Sequence, residues 1–397
     1  MKVVVIGGGY GGLRAVEKLV KKENIEIILL DKNPYHYLQT EAYGYIAGKF
    51  DICDITVDIQ SWCESFGNKV KFIQEEVINL EPSKQMVFTS TQTISYDELI
   101  IATGALTNFP SFIGGLEAFS HGVKILSRAY EFKSQFEEII YQKVKHSNNQ
   151  EFHIIIGGAG LSGVEIAAEM AYIASKFTKS IGIKKSNITI YLIEAYGTIL
   201  NGMEEYIVKN TMERLENLGV KVMINSFIDS VSQNTVHLKN GETYPFDFMI
   251  FTGGIRAIGL NDILQFPKNR MNQFVVNSSL QIEEFPNIYA IGDCAEIKDE
   301  NGKILPPTSQ IAEQCAAYVA KHIIAKSKKE SISPYHGKID GMFVALGGSY
   351  AVGSMFGFIK VKGYMAFVLK KIITKLYHYG LKLRLNSSFE TRKQQED

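Results

Sequence analysis

Three glycines near the N-terminus have the spacing of a turn that binds the pyrophosphate of a dinucleotide. Gly7, Gly9 and Gly12 follow a β-branched run at 3–6, which predicts a buried parallel strand. One glycine permits the tight turn, the next lets the backbone approach the pyrophosphate, and the third lets the next helix pack against the strand. That helix, predicted over about 13–22, points its positive N-terminal end at the phosphates.

An acidic residue stands where such a site needs one. The run 25–32 predicts a second strand and contains Asp31 at its end, where a carboxylate accepts hydrogen bonds from the hydroxyl groups of a ribose. A glycine pattern alone is weak evidence, but strand, glycines, helix, strand and terminal acid in this order are strong evidence. The sequence therefore predicts a dinucleotide site in its first part.

The same order of elements occurs a second time. A strand predicted over 152–156 precedes three glycines and a helix that extends to about Phe177, and the strand-like run 188–195 ends near Glu194. This acid lies farther along the chain than usual, so we interpret 178–187 as an inserted loop. A carboxylate at this point favours NAD and repels the extra phosphate of NADP. The glycines of this second turn are Gly158, Gly160 and Gly163.

Two dinucleotide sites in one chain suit a resident flavin and a visiting nicotinamide. A flavin accepts a hydride from one partner and passes electrons to another. The sequence thus predicts non-covalent FAD in the first site and NADH in the second.

Composition excludes several other classes. Forty-two basic and forty-two acidic side chains leave no net charge, so nothing global indicates a nucleic-acid partner. No early segment resembles a signal peptide and no run is long and apolar enough to span a bilayer, so a cytoplasmic location is expected. The cysteines have no metal-ligand or Cys-x-x-Cys spacing, so no metal is expected and each is predicted to be a free thiol, with burial as a small apolar residue favoured. They are Cys53, Cys63, Cys294 and Cys315.

Three further segments resemble the two-dinucleotide-binding flavoprotein superfamily. They are "YDELIIATG" at 96–104, "FDFMIFTGG" at 246–254 and "FPNIYAIGDCA" at 285–295. The resemblance covers the chain to about residue 325. It implies that the first two return the chain between domains and that Asp293 holds the ribityl and phosphate region of the flavin. It also places Thr103, Gly104 and Gly253 among the cofactor-binding residues.

That resemblance implies an α/β fold with two Rossmann-like domains, as in glutathione reductase. The FAD domain is expected in two pieces, 1–115 and 265–335, with the NADH domain at 116–264 between them. The remainder, 336–397, is expected to be a membrane-docking region.

Within the superfamily, the chain looks like a type II NADH dehydrogenase, a peripheral membrane enzyme that passes electrons from NADH to a quinone. "GGAGLSGVEIAAEM" at 157–170 is similar to that family's second glycine motif, and "PPTSQIAEQ" at 306–314 to its quinone-side motif. The resemblance implies that Glu165 acts near the quinone or the flavin. It also implies that Gln310 and Gln314 line the quinone site.

A third segment, "YHYLQTEAYGYIAG" at 35–48, resembles the family but departs from it. Thr40, Glu41 and Ala42 stand where the family usually has Pro-Leu-Leu, and Ser309 stands where it often has alanine. Glu41 is expected to face solvent or to pair with a lysine, and it also leaves open an altered acceptor.

Each of these residues also has a purely structural interpretation. A carboxylate such as Glu165 in the first turn of a helix is stabilised by the helix dipole by about 0.3–1 kcal/mol, whatever its function. Gln310 and Gln314 are four residues apart and share a helix face, as many surface glutamines do. His36 is interpreted as a packing residue without a role in proton transfer.

The segment 356–385 has an apolar face and a basic face. We interpret it as an amphipathic segment that docks on anionic lipid at the cytoplasmic face of the membrane without crossing it; an ordinary surface helix is the alternative. A homodimer is left open. The apolar residues are Met365, Leu369, Ile372, Leu376, Tyr379 and Leu383, and the basic ones are Lys370, Lys371, Lys375, Lys382 and Arg384.

Two other functions remain open. A sulfide:quinone oxidoreductase needs a pair of redox cysteines facing the flavin, and the cysteines here are not in that family's arrangement. The second glycine turn also favours a nicotinamide, which sulfide oxidation does not need. A flavin-binding redox sensor without catalysis is the other alternative.

Overall fold

The computed structural model describes residues 1–146, 151–180 and 188–396. The helices are α1 (Tyr10–Leu19), α2 (Ala42–Ile46), α3 (Ile52–Ile55), α4 (Ile59–Glu64), α5 (Leu116–Phe119), α6 (Leu126–His146), α7 (Leu161–Ser180), α8 (Glu205–Leu218), α9 (Leu260–Ile263), α10 (Ser309–Ser327) and α11 (Tyr364–Glu396).

The strands up to the second glycine turn are β1 (Lys2–Ile6), β2 (Glu26–Asp31), β3 (Tyr35–Tyr37), β4 (Thr56–Asp58), β5 (Val70–Gln74), β6 (Val77–Glu81), β7 (Met86–Thr89), β8 (Thr93–Ser95), β9 (Glu98–Ile101), β10 (Leu106–Thr107) and β11 (Phe152–Gly157). After it come β12 (Ile188–Ile193), β13 (Lys221–Met223), β14 (Ile228–Ser232), β15 (Thr235–Leu238), β16 (Thr243–Pro245), β17 (Phe248–Phe251), β18 (Ile255–Arg256), β19 (Phe274–Val275), β20 (Gln281–Ile282), β21 (Phe285–Ala290), β22 (Ala295–Glu296), β23 (Gly341–Ala345), β24 (Ala351–Met355) and β25 (Ile359–Gly363).

The first large sheet combines strands from distant parts of the chain. Its order is β20-β21-β9-β1-β2-β5. The strands β5, β2, β1, β9 and β21 are parallel to one another, and β20 is antiparallel to β21. The central β1 has fully buried valines at positions 3–5, as expected for a parallel strand covered on both faces. Because the strands are parallel, their carboxyl ends meet at one edge of the sheet.

The second large sheet is parallel throughout, in the order β13-β12-β11-β17. The two segments that run between the sheets meet where β10 pairs with β18, with Leu106 opposite Arg256. Smaller antiparallel sheets are inserted before a later strand of each large sheet, β6-β7-β8 before β9 and β14-β15-β16 before β17, and β23-β24-β25 precedes α11. The α/β fold predicted from the sequence is confirmed, whereas the exact domain limits stay a prediction.

The first helix is displaced from its predicted position. It was expected over about 13–22 but begins at Tyr10 and ends at Leu19. Gly9 precedes the first turn in an extended conformation, and its carbonyl accepts the first helical hydrogen bond, from Leu13 N at 3.0 Å. The helix therefore starts directly after Gly9, and Gly11 and Gly12 lie in its first helical turn.

The helix after the second glycine turn continues past its predicted end to Ser180. The first three residues of the predicted inserted loop are thus helical, and 181–187 lie outside the described residues.

The sequence pattern predicts an amphipathic segment from about residue 356, but the helix begins later than that. Phe356 and Gly357 have positive φ and form the turn of a hairpin, 359–363 is the edge strand β25, and the helix begins at Tyr364. None of the helices in the described ranges is long and apolar enough to cross a membrane.

The cysteines are free thiols in the structure. Cys63, Cys294 and Cys315 are buried, as favoured from the sequence, whereas Cys53 is exposed, because it lies in the short surface helix α3.

Candidate active site

The turn after β1 is closed to side chains at two of its glycines and open at the third. Gly7 has a φ of 107°, and a Cβ atom at Gly12 would lie 1.7 Å from the carbonyl oxygen of Gly7, so both positions require glycine. At Gly9, by contrast, a Cβ atom would meet no protein atom within 4 Å. The N-terminal end of α1 therefore faces open space, which fits the pyrophosphate of FAD.

Asp31 is held directly against this turn. Its Oδ2 accepts a hydrogen bond from Gly8 N at 2.6 Å, and its Oδ1 accepts one from Asn33 N at 2.7 Å. Burial raises the pKa of Asp31, and the two backbone N–H groups oppose that shift. The acid of the predicted ribose site is thus fixed beside the predicted pyrophosphate site.

Two other strands bring predicted flavin contacts to the same edge. Thr103 and Gly104 follow β9, and Asp293 follows β21. The Asp293 carboxylate accepts a hydrogen bond from Lys124 Nζ at 2.8 Å. Sequence analysis missed Lys124, since no motif or spacing distinguishes it from other lysines.

The second glycine turn repeats the first in detail. Gly158 has a φ of 96°, and a Cβ atom at Gly163 would lie 1.9 Å from the Gly158 carbonyl oxygen. At Gly160 a Cβ atom would meet no protein atom within 4 Å. Gly253, after β17, lies so close to Gly158 that a Cβ atom on Gly158 would be 2.7 Å from its backbone.

Glu194 occupies the place that Asp31 has in the first sheet. It directly follows β12, and its buried carboxylate accepts hydrogen bonds from Ala159 N at 2.6 Å and Tyr196 N at 2.9 Å. The delayed position of this acid in the sequence therefore does not change its position in space. The chain thus carries two similar edges, each with an open glycine and an acid bound to the turn.

Glu165 lies in the first turn of α7 and is buried. It forms an ion pair with Lys370 of α11 and accepts a hydrogen bond from Ala345 N at 2.9 Å. One helical turn later, Glu169 pairs with Lys49 Nζ at 3.1 Å. The N-terminal half of α7 is therefore joined to the C-terminal sheet and to α11 by buried charges.

Glu41 belongs to the same cluster. Its side chain is buried, so the expectation that it faces solvent is wrong. Burial raises its pKa, the charge of Lys370 lowers it, and the charge of Glu165 raises it further. Tyr43 donates a hydrogen bond to Glu41 Oε2 at 3.3 Å. The alternative expectation, that Glu41 pairs with a lysine, is not met in the described residues: the charge of Lys370 acts on Glu41, but Lys370 forms its ion pair with Glu165.

The two glutamines lie on α10, whose first residue follows the N-cap Thr308. The Gln314 side chain donates to the Lys338 carbonyl at 2.9 Å and accepts from Lys338 N at 3.2 Å, so its amide holds a neighbouring segment. Gln310 is half-buried, and no side-chain hydrogen bond to it occurs in the described part of the chain. No described hydrogen bond joins either glutamine to Glu165.

His36 connects the first glycine turn to the C-terminal helix. Its Nδ1 lies 3.0 Å from the Gly8 carbonyl oxygen and its Nε2 lies 3.1 Å from the Tyr377 hydroxyl. Burial lowers the pKa of His36 to about 4, so the ring is neutral at physiological pH. This geometry agrees with a packing role, and Tyr377 is a contact that sequence analysis did not find.

Comparison with known proteins identifies the family. The pyridine nucleotide-disulphide oxidoreductase family matches residues 1–317. The chain belongs to this family. Both open glycine turns and both anchored acids lie within the matched residues.

One curated relative and two solved structures are similar to this chain over almost its whole length. The type II NADH:quinone oxidoreductase of Staphylococcus aureus is 29% identical over 381 residues, which are 94% of this chain and 94% of that protein. Among solved structures, NDH2 from Plasmodium falciparum in complex with NADH has a TM-score of 0.87 at 19% identity, over 99% of this chain and 98% of that one. The sulfide:quinone oxidoreductase of Aquifex aeolicus has a TM-score of 0.81 at 20% identity, over 96% and 92%.

Proposed function

We propose that this protein is a type II NADH:quinone oxidoreductase, which uses FAD to pass electrons from NADH to a membrane quinone. The observation that carries the proposal is the similarity to the Staphylococcus aureus enzyme along 94% of both chains. The two matching edges of the structure support it, since each offers an open glycine turn and an anchored acid to one nucleotide.

FAD is assigned to the first edge and NADH to the second. Gly9 leaves room for the flavin pyrophosphate, Asp31 holds the ribose and Asp293 holds the ribityl region, with Lys124 beside it. When bound, FAD accepts a hydride and releases electrons to a second substrate. At the other edge, Glu194 excludes the additional phosphate of NADPH.

The quinone is assigned to the side of the flavin where Glu165 lies. Reduction of a quinone to a quinol takes up protons, so a carboxylate there can relay a proton or orient the ring. Gln310 and Gln314 cannot release protons at neutral pH, and their role is to position the quinone through amide hydrogen bonds. For Gln314 that role includes holding Lys338 in place.

A lipid surface is assigned to the outer face of α11. The apolar stripe expected from the sequence is largely exposed there, with Leu376 at 69% and Leu383 at 67% exposure, and Lys371 and Lys375 are exposed beside it. An exposed apolar stripe with flanking lysines is suited to the interface of an anionic bilayer. The basic residues are not all on that face, because Lys370 and Arg384 pair with Glu165 and Glu17 of the protein body.

Sulfide:quinone oxidation is the second candidate because of the Aquifex aeolicus fold similarity. That reaction needs reactive thiolates. Burial instead raises the pKa of Cys63 and of Cys315 to about 12 and also raises that of Cys294, which keeps these thiols protonated and poorly nucleophilic.

One anaerobic titration separates the candidates. NADH should bleach the flavin absorbance, whereas NADPH and sulfide at the same concentrations should not. Subsequent addition of a quinone should restore the absorbance. Bleaching by sulfide would favour the second candidate, and retained FAD without any bleaching would favour a redox sensor.

A further inference from the structure

The carboxylate cluster carries more negative charge than its cations can offset. Glu41, Glu165 and Glu169 are all buried. Lys370 pairs with Glu165, and Lys49 pairs with Glu169. Within the described ranges, Glu41 has no ion pair of its own. Three buried carboxyl groups and two ammonium groups therefore leave one carboxyl without a neutralising charge.

The titratable groups around Glu41 come from four elements. Lys370 of α11, Glu165 of α7 and Tyr43 of α2 act on it directly, and Tyr10 of α1 also lies within range of its charge. The Thr374 hydroxyl, one helical turn after Lys370, is a further polar neighbour that opposes the rise in the pKa of Glu41.

An uncompensated carboxylate in such a place is costly, because burial and a neighbouring like charge both disfavour ionisation. Retention of one proton by the cluster removes that cost. Glu41 is the member that has no cation to itself, so the proton belongs on Glu41. A protonated carboxyl can donate a hydrogen, which a carboxylate cannot.

Two members of the cluster lie close in sequence to the two nucleotide turns. Glu165 follows Gly163 of the second turn by two residues. Glu41 follows His36, whose ring contacts Gly8 of the first turn. A substrate that reacts at the junction of the two halves would meet this pair of carboxyl groups.

We propose that Glu41 is a proton-donating residue for the quinone. This inference rests on the proposed function. NADH supplies two electrons and one hydrogen as a hydride, and Glu41 supplies the second proton: its O–H bond breaks and a quinol O–H bond forms. The carboxylate left on Glu41 is stabilised by Lys370 and recovers its proton from solvent, so the sum is NADH, a proton and quinone giving NAD⁺ and quinol.

The test compares Glu41→Gln and Glu41→Leu with wild type and with a matched control, Glu98→Gln. Glu98 is also buried with its pKa raised by burial, but it stands at the amino end of β9, opposite the nucleotide edge, and pairs with Lys326 at 2.7 Å. Each variant is first shown to bind FAD and to unfold cooperatively.

In stopped-flow measurements with a water-soluble short-chain quinone, both Glu41 variants should reduce their flavin with NADH at the wild-type rate. Reoxidation by the quinone should be slower by about a hundredfold, as expected for loss of a positioned proton donor. The wild-type reoxidation rate should fall as pH rises and Glu41 ionises, whereas the Glu41→Gln rate should not follow that titration. The control should match wild type in both half-reactions.

Two measurements do not depend on turnover. The infrared difference spectrum between wild type and Glu41→Gln at neutral pH should contain the carbonyl band of a protonated carboxylic acid. Because the folded pKa of Glu41 is raised, wild type should lose stability relative to Glu41→Gln as pH rises above the unfolded carboxyl pKa of about 4.3, until the folded group also ionises.

If both Glu41 variants are reoxidised at the wild-type rate and with the wild-type pH profile, the inference is overturned and the proposed function stays intact. The absence of the carboxylic-acid band would have the same consequence. If wild type itself is bleached by NADH but no quinone restores its absorbance, the proposed function fails and the inference fails with it.

Discussion

Gly9 and Gly12 stand in the same turn but have different surroundings, which makes them a matched pair for testing FAD binding. In Gly9→Val the added Cβ atom meets no protein atom within 4 Å, so the flavin-free protein should keep its stability while FAD is lost because the pyrophosphate cannot approach. Gly12→Ala collides with Gly7 and should lower the stability of the flavin-free protein as well. Flavin absorbance and urea unfolding measure the two effects, and stoichiometric FAD in Gly9→Val would refute the assignment.

Glu194 should control the choice between NADH and NADPH. Glu194→Gln removes the negative charge that repels the extra phosphate, so the ratio of kcat/KM for NADH to that for NADPH should fall by about tenfold, equivalent to about 1.4 kcal/mol. Steady-state kinetics with both donors give this ratio. Asp31→Asn is the control, because it changes the flavin site and should leave the ratio alone. Similar efficiencies of both donors in wild type would contradict the prediction.

Glu165 and Gln310 should act on the quinone half of the reaction. Glu165→Gln and Gln310→Ala should leave flavin reduction by NADH nearly unchanged and slow reoxidation by quinone, about tenfold or more for Glu165 because a carboxylate that orients the quinone is lost. Gln314→Ala should slow reoxidation too, and it also removes two hydrogen bonds to Lys338. Stopped-flow absorbance separates the half-reactions. If NADH reduction is the slowed step, these residues belong to the nicotinamide side.

At the scale of the element, the two faces of α11 have different surroundings. Its outer apolar residues are free to enter a lipid interface, whereas its inner residues bind the protein body. The triple variant Ile372→Ser, Leu376→Ser, Leu383→Ser changes the outer face alone. It should reduce binding to vesicles containing phosphatidylglycerol by at least about tenfold, since each buried aliphatic side chain contributes about 1.5–3 kcal/mol.

The control for this experiment is Phe112→Ser, which removes an apolar side chain with 79% exposure elsewhere on the surface. Vesicle sedimentation should be the same for this variant and wild type. The triple serine variant and Phe112→Ser should both still reduce a water-soluble acceptor. Unchanged sedimentation of the triple variant at low salt would place the anchor elsewhere.

At the scale of the whole molecule, the C-terminal helix is part of the folded body. Removal of residues 364–397 should lower the free energy of unfolding by several kcal/mol, because a buried ion partner left unpaired costs about 3–5 kcal/mol and Glu165 loses Lys370. The contact between Tyr377 and His36 is lost as well. Urea unfolding compares this truncation with the triple serine variant, which should be close to wild type. Equal stability of truncated and full-length protein would refute this integral role.

The sequence by itself determined the repeated part of the architecture. The β-branched run before Gly7, the spacing of its glycines and the acid at Asp31 depend on local backbone geometry: a parallel strand, a turn with positive φ and a helix start. The same reasoning located Gly158 and Glu194. Helix ends were less certain, because α1 begins where the backbone of Gly9 permits it rather than where the apolar pattern begins.

Only the tertiary structure decided which charges meet. Lys370 is 205 residues from Glu165, and Lys124 is 169 residues from Asp293. No periodicity relates such positions, since their approach depends on how whole sheets and helices pack. For the same reason the sequence identified Glu41 as unusual but could not show that it is buried beside Glu165 with one lysine near both, which is the arrangement from which its role as a proton donor is inferred.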